Sequence, residues 1–232
     1  MSLDCIVSIT SWRGRIYSDV VISNLRRLLS QNTSFNYKVT LVLSEDEFPR
    51  KESELPKKLI ELSQTEPKFE IIWQKENTRA LKKLGGWSKY PDVPIITTDD
   101  DIAVKDTFVE EFMQCHLKHP NDIVTAVLWT HPIGVEMSGW GRLFPVGSLA
   151  WLPDVCFMKF FRGLEDDVYN GLRAYMVGTK HIKLNTWPFD TEVPMAGALR
   201  HEYLGTDVTT MLHDFANGWK KCILENDEHD HE

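Results

Sequence analysis

Three consecutive carboxylates, Asp99, Asp100 and Asp101, follow the run Pro94-Ile95-Ile96-Thr97-Thr98. Adjacent like charges repel one another unless a cation or solvent screens them. On an extended chain side chains alternate, which puts Asp99 and Asp101 on one side and Asp100 on the other. Such an oxygen-rich pair suits a hard divalent ion, Mn2+ or Mg2+, that also bridges phosphate oxygens. The plainer alternative is that Asp101 or Asp106 caps the next helix and the rest lie in solvent. A second acidic cluster, Glu165-Asp166-Asp167, opens a helical stretch. Acidic residues there complement the helix dipole without any chemical duty. One of them could also serve as a general base, which needs a carboxylate within hydrogen-bond reach of the attacking group.

A framework has to hold these groups. Apolar runs predict strands at Cys5–Ile9, Tyr37–Leu43, Phe69–Trp73, Val93–Thr97 and Ile123–Trp129. Between them, Ile16, Val20, Val21, Leu25, Leu28 and Leu29 follow the 3.6-residue period of an amphipathic helix. Further helices are expected at Leu55–Leu62, with Pro56 in its first turn, and at Thr78–Leu84, ended by Gly85-Gly86. The alternation continues with a helix at Asp106–Leu117. From His131 to Gly163 the pattern breaks, a helix resumes from about Glu165 to Val177, and another is expected around Val208–Trp219. Strands alternating with helices imply an α/β fold with an open, mostly parallel, doubly wound sheet. Ligands of such sheets bind beyond the carboxyl ends of the strands, where the three aspartates sit.

The 232 residues carry 26 Lys and Arg against 34 Asp and Glu, a net charge of −8. An acidic chain is a poor match for duplex nucleic acid, whose phosphates need a basic face. It also adheres weakly to anionic lipid. Four scattered cysteines, Cys5, Cys115, Cys156 and Cys222, form no C-x-x-C pair and fit reduced thiols. The first ten residues lack the basic and apolar regions of a secretion signal, and no apolar run approaches the ~20 residues of a membrane span. A cytoplasmic location is therefore expected, with peripheral membrane association left open and oligomeric state unspecified.

Three segments in order, IVSITSWRGRI at 6–16, IITTDDDI at 95–102 and GLEDDVYNGLRAYMVGTK at 163–180, resemble GT-A-fold glycosyltransferases. The likeness is to bacterial enzymes of capsule and lipopolysaccharide assembly, with their Thr-Ser-x-x-x-Arg opening, D-x-D motif and later Glu-Asp-Asp helix start. It covers roughly residues 4–185. It implies a single GT-A (Rossmann-like) domain over 1–232, with a nucleotide-sugar-binding half at 1–130. An acceptor and catalytic half, with loops and helices, would span 131–223, and 224–232 would be a flexible acidic tail. The implied activity is transfer of a sugar from a nucleoside-diphosphate sugar to a carbohydrate or other hydroxyl acceptor, in surface polysaccharide synthesis.

By that likeness, Asp99 and Asp101 hold Mn2+ or Mg2+ on the diphosphate, with Asp100 beside the donor. Asp166 is the first candidate for the acceptor-activating base, Asp167 the second, and Glu165 orients the acceptor. Arg13 and Arg15 suit diphosphate contacts, Thr10 and Ser11 could hydrogen-bond the nucleotide, and Trp12 could stack on the base. Lys82 or Lys83 would reach the donor, and His213, ahead of His201, would supply a third metal ligand. Among eight tryptophans, Trp87, Trp140, Trp151 and Trp187 fall in loops, where flat faces suit sugar rings, although packing is the usual fate of such residues. Two other readings keep the same carboxylates: a Mg2+-dependent nucleotidyl- or phosphotransferase, and a nucleotide-sugar-binding module without turnover.

Overall fold

A computed structural model describes residues 2–130, 135–151 and 166–192. The predicted positions Glu165, His201 and His213, the helix around Val208–Trp219 and the acidic tail lie outside the described residues.

Nine strands and four α-helices are described. They are β1 (Cys5–Thr10), α1 (Asp19–Leu29), β2 (Tyr37–Ser44), α2 (Lys57–Thr65), β3 (Phe69–Gln74), β4 (Ile95–Thr97) and β5 (Ile102–Val104). There follow α3 (Phe108–Lys118), β6 (Ile123–Thr130), β7 (Glu136–Phe144), α4 (Asp166–Val177), β8 (His181–Lys183) and β9 (Phe189–Glu192). Seven strands form one sheet in the order β3-β2-β1-β4-β7-β6-β8, and β5 pairs with β9 separately. The β3-β2-β1-β4 half is parallel throughout, whereas β7 runs antiparallel to both β4 and β6. The result is the expected open α/β sheet with one reversed central strand.

Burial explains the predictable half. Parallel strands covered on both faces read as continuous apolar runs, and Cys5, Ile6, Val7 and Ile9 of β1 are all fully buried. Alternate residues serve two cores. Val7, Ile9, Val39, Leu41 and Ile96 pack with α1, α2 and α3 on one face, while Ile6, Ile95, Ile123, Phe144 and Ala174 of α4 meet on the other. The Ser18 hydroxyl accepts from Val20 N at 3.2 Å and caps α1.

Two local expectations are corrected. The stretch expected as an α-helix at Thr78–Leu84 is a 3₁₀ helix, Arg79–Ser88, that runs through Gly85 and Gly86. The tight pass needs both glycines: a Cβ on Gly86 would sit 2.6 Å from Ile6 Cδ1, and one on Gly85 2.8 Å from Val42 Cγ1. The second correction is β7, which lies in the region expected to be irregular. Its motif Gly139-Trp140-Gly141 hides a strand because it contains a bulge. Val127 pairs with Gly139 and Thr125 with Arg142, so two residues of β7 oppose one of β6. Trp140 and Gly141 take left-handed backbone with φ of 46° and 84°. Since Thr125 and Val127 share a face of β6, the extra residue turns Arg142 to the same face as Gly139, toward α4.

At Gly141 a Cβ would meet Phe189 Cζ at 2.9 Å in addition to an unfavourable φ. Gly141→Val is expected to cost about 2–4 kcal/mol, combining left-handed strain with overpacking. Urea denaturation of the variant beside the wild type checks this.

Candidate active site

The carboxyl ends of β1 and β4, the 3₁₀ segment, the bulged end of β7 and the start of α4 meet at one edge of the sheet. Asp100 and Asp101 occupy a turn between β4 and β5, not an extended run. Their side chains therefore do not alternate as expected: Arg15 Nη1 pairs with Asp100 and lies 3.1 Å from Asp101 Oδ2. Asp99 turns away to pair with Lys83. Asn24 of α1, itself buried, donates its amide to the Asp100 carbonyl at 2.8 Å and fixes the turn.

A second layer continues from Lys83, whose Nζ is 3.6 Å from Asp166 Oδ2. Arg142 joins it from β7: one guanidinium nitrogen bonds Asp166, another lies 3.1 Å from Asp167 Oδ1 and 3.3 Å from the Ser138 carbonyl. The acidic motifs near residues 100 and 166 are thus linked through Lys83 and Arg142. Arg142 is 3% exposed, so the bridge is shielded from solvent.

Charge placement sets the titration of each group. Burial pushes Asp100 up to about 6 even though Arg15 opposes it. Burial also raises Asp101, again against Arg15. For Asp166, burial disfavours the anion, but Arg142 and Lys83 outweigh it and hold the carboxyl down at about 2. Asp167 goes the other way: although its side chain is 34% exposed, partial desolvation and then the neighbouring Asp166 charge push it up to about 7. Burial works against the Lys83 and Arg142 cations, yet their carboxylate partners raise both. Two adjacent aspartates thereby acquire different characters, one a fixed anion and the other a proton acceptor near neutrality.

The remaining expected residues divide. Ser11 is buried beside Asp100. The Thr10 hydroxyl donates to Val42 O at 2.7 Å, tying β1 to β2. Arg13 turns away from the aspartates, pairs with Glu54 and lies over Phe48. Lys82 is buried in a separate pair with Glu47 and donates to Asn77 Oδ1 at 3.0 Å. Trp12 folds over Gly14, Trp87 packs edge-on against Phe144, and Trp140 packs against Trp187. Sequence reasoning missed Arg142, Asn24 and Gly139. Only the bulge makes Arg142 part of the site, and the Gly-Trp-Gly flanking it was the available signal.

The donors present fit a divalent cation in one particular way. Asp99 and Asp101 offer hard oxygen ligands, and the buried Asp100 Oδ2 has no hydrogen-bond partner. Among the described residues no three His, Cys, Asp or Glu side chains converge as a cage. One or two carboxylates with the remaining positions left to phosphate and water is the usual Mg2+ arrangement.

Comparison with known proteins gives the fold. No family model and no curated protein matches the sequence. Among solved structures, the mannosyltransferase PcManGT from Pyrobaculum calidifontis, in complex with GDP-Man and Mn2+, superposes with a TM-score of 0.53. Identity is 13%, over 85% of this chain and 61% of that one. S. aureus TarS in complex with UDP-GlcNAc superposes at 0.55 with 9% identity, over 88% of this chain and 62% of that one. This chain shares the GT-A (Rossmann-like) fold. It spans about three fifths of the length of these two chains. A 4-diphosphocytidyl-2C-methyl-D-erythritol synthase matches at 0.49 with 10% identity, over 87% of this chain and 98% of that one. Among the described residues no helix is long and apolar enough to cross a membrane.

Removing the Arg142 cation strands a buried anion. Arg142→Met is expected to lower stability by about 3–5 kcal/mol at pH 7, read by urea denaturation. The sign with pH follows from Asp166, whose carboxyl titrates lower folded than unfolded. Its stabilising charge is present above the unfolded pKa near 3.8 and is lost as pH falls toward about 2. The gap between variant and wild type is therefore expected to narrow in acid.

Proposed function

We propose that this chain is a metal-dependent glycosyltransferase that passes a sugar from a nucleoside-diphosphate sugar to an acceptor hydroxyl. The observation that carries the reading is the convergence of Asp99–Asp101 with Asp166 and Asp167 at the strand ends, joined through Lys83 and Arg142. The fold shared with structures holding GDP-Man and UDP-GlcNAc supports a nucleotide-sugar donor. The sequence resemblance adds surface polysaccharide assembly as the setting.

In this reading Asp99 and Asp101 would hold Mn2+ or Mg2+, and Asp100 and Ser11 would lie beside the donor. The chemistry such a cation would supply there is Lewis-acid neutralisation of the leaving diphosphate, generally worth several kcal/mol. Arg15 and Lys83, paired with Asp100, Asp101 and Asp99, would contribute positive charge toward the same diphosphate. Asp167 takes the proton from the acceptor hydroxyl as its oxygen bonds to the anomeric carbon. The bond from that carbon to the diphosphate oxygen breaks, and the nucleoside diphosphate leaves with the electron pair. Asp166 remains ionised between Arg142 and Lys83 and holds the Asp167 side of the site in register. This reverses the order expected from sequence, because the group most strongly paired with cations is the poorer proton acceptor.

The donor half is tested by thermal shift with UDP and GDP, each with and without Mn2+. Wild type is expected to be stabilised by one of them only in the presence of metal, and Asp101→Asn to lose that dependence. An Asp101→Asn protein stabilised as strongly as wild type by nucleotide and Mn2+ would end the metal assignment.

The base is tested by release of nucleoside diphosphate. Asp167→Asn is expected to lower turnover at least 100-fold while retaining nucleotide-dependent stabilisation. Wild-type turnover should rise with pH through about 7 as Asp167 deprotonates. A flat profile between pH 5 and 9 contradicts this role.

A further inference from the structure

Trp129 lies at the carboxyl end of β6, on the edge of the sheet that carries the acidic site, and it opposes Met137 of β7. Cross-strand neighbours two residues along share a face, so the indole sits diagonally across from Gly139. A Cβ on Gly139 would lie 3.3 Å from Trp129 Cζ3, 3.5 Å from Trp129 Cη2 and 3.4 Å from Asp167 Oδ2. The flat ring and the carboxylate oxygen thus border the same small gap, kept clear by the missing side chain. Arg142 holds Asp167 by its other oxygen, Oδ1. Both walls stay open to solvent: Trp129 is 39% exposed and the Asp167 side chain 34%.

We propose that Trp129 is the platform for a neutral pyranose ring of the acceptor, which stacks on the indole and presents a hydroxyl to Asp167. The proposal rests on the transferase reading and extends it to the class of acceptor. A pyranose has an apolar C–H face and a rim of hydroxyls. An indole face beside a hydrogen-bond acceptor matches both surfaces at once. An acidic substituent in the same position would face the Asp167 carboxylate that borders the gap, which selects for a neutral ring. Two other exposed indoles are engaged elsewhere, since Trp12 covers Gly14 and Trp187 packs edge-on to Trp140 and Phe189.

The test is saturation-transfer NMR on the full chain with Mn2+ replaced by diamagnetic Mg2+ and with UDP or GDP present. The probes are the methyl pyranosides of glucose, galactose, mannose and N-acetylglucosamine, with their common disaccharides. At least one probe is expected to receive saturation on the C–H protons of a single ring face. Trp129→Ala should reduce that signal at least tenfold, Trp129→Phe should retain part of it, and Gly139→Val should abolish it by filling the gap. Circular dichroism melting confirms that each variant is folded. Trp129→Ala should keep the nucleotide-dependent thermal shift, because the donor lies against other residues. Undiminished sugar signal in folded Trp129→Ala overturns the platform. So does the absence of signal from every pyranoside when nucleotide binds normally. Failure of UDP and GDP to bind wild type at all overturns the transferase reading itself, and this inference with it.

Discussion

A buried guanidinium holds the two halves of the site together. Arg142 reaches from β7 to the first residues of α4 and is enclosed by Asp166, Asp167 and the Ser138 carbonyl. A charge taken out of water is tolerated only when its partners are close and well oriented. With Arg142 in place, Asp166 is held ionised well below the usual carboxylate range and Asp167 is left as the neighbour that titrates higher. The Lys83 ammonium extends the same network to Asp99, so the acidic turn after β4 and the helix start after residue 165 are electrostatically one unit.

That network depends in turn on backbone irregularity. An unbroken β7 would put Arg142 on the opposite face from Gly139, against the α1 and α3 core, where it would find apolar side chains. The bulge at Trp140-Gly141 changes the face without interrupting the ladder to β4, in which Thr97 still pairs with Arg142. The neighbouring chain accommodates it: Gly141 leaves room for Phe189 and Phe112, and the Thr125 hydroxyl donates to Val127 O at 2.9 Å across the irregular step. Close approach of α4 to β7 is set by a second glycine. A Cβ on Gly171 would lie 2.7 Å from the Glu136 carbonyl, so the helix can bring its first turn against the strand only with no side chain there.

The carboxylates after β4 are already partnered by Arg15 and Lys83 before any ligand arrives. Such pairing keeps five aspartates tolerable at one sheet edge, since the cations offset repulsion that burial would otherwise magnify.

The sequence by itself determined the parallel half of the sheet, because fully buried strands write continuous apolar runs and amphipathic helices write a 3.6-residue period. It also showed that Asp99 to Asp101 directly follow a buried strand, the end of an open sheet at which ligands of such folds bind. Helix bounds were legible to within a few residues from the apolar period, as for Asp19–Leu29. The 3₁₀ form of Arg79–Ser88 was not, because two glycines read as a stop when their function is close passage over Ile6 and Val42. Tertiary structure alone decided which charges meet. The partners of Asp99, Asp100 and Asp166 come from residues 16 to 85 positions away, and no local pattern encodes such pairings. It alone made Arg142 part of the site and distinguished Asp167 from Asp166, because a one-residue bulge and the order of burial around two adjacent carboxylates are properties of packing.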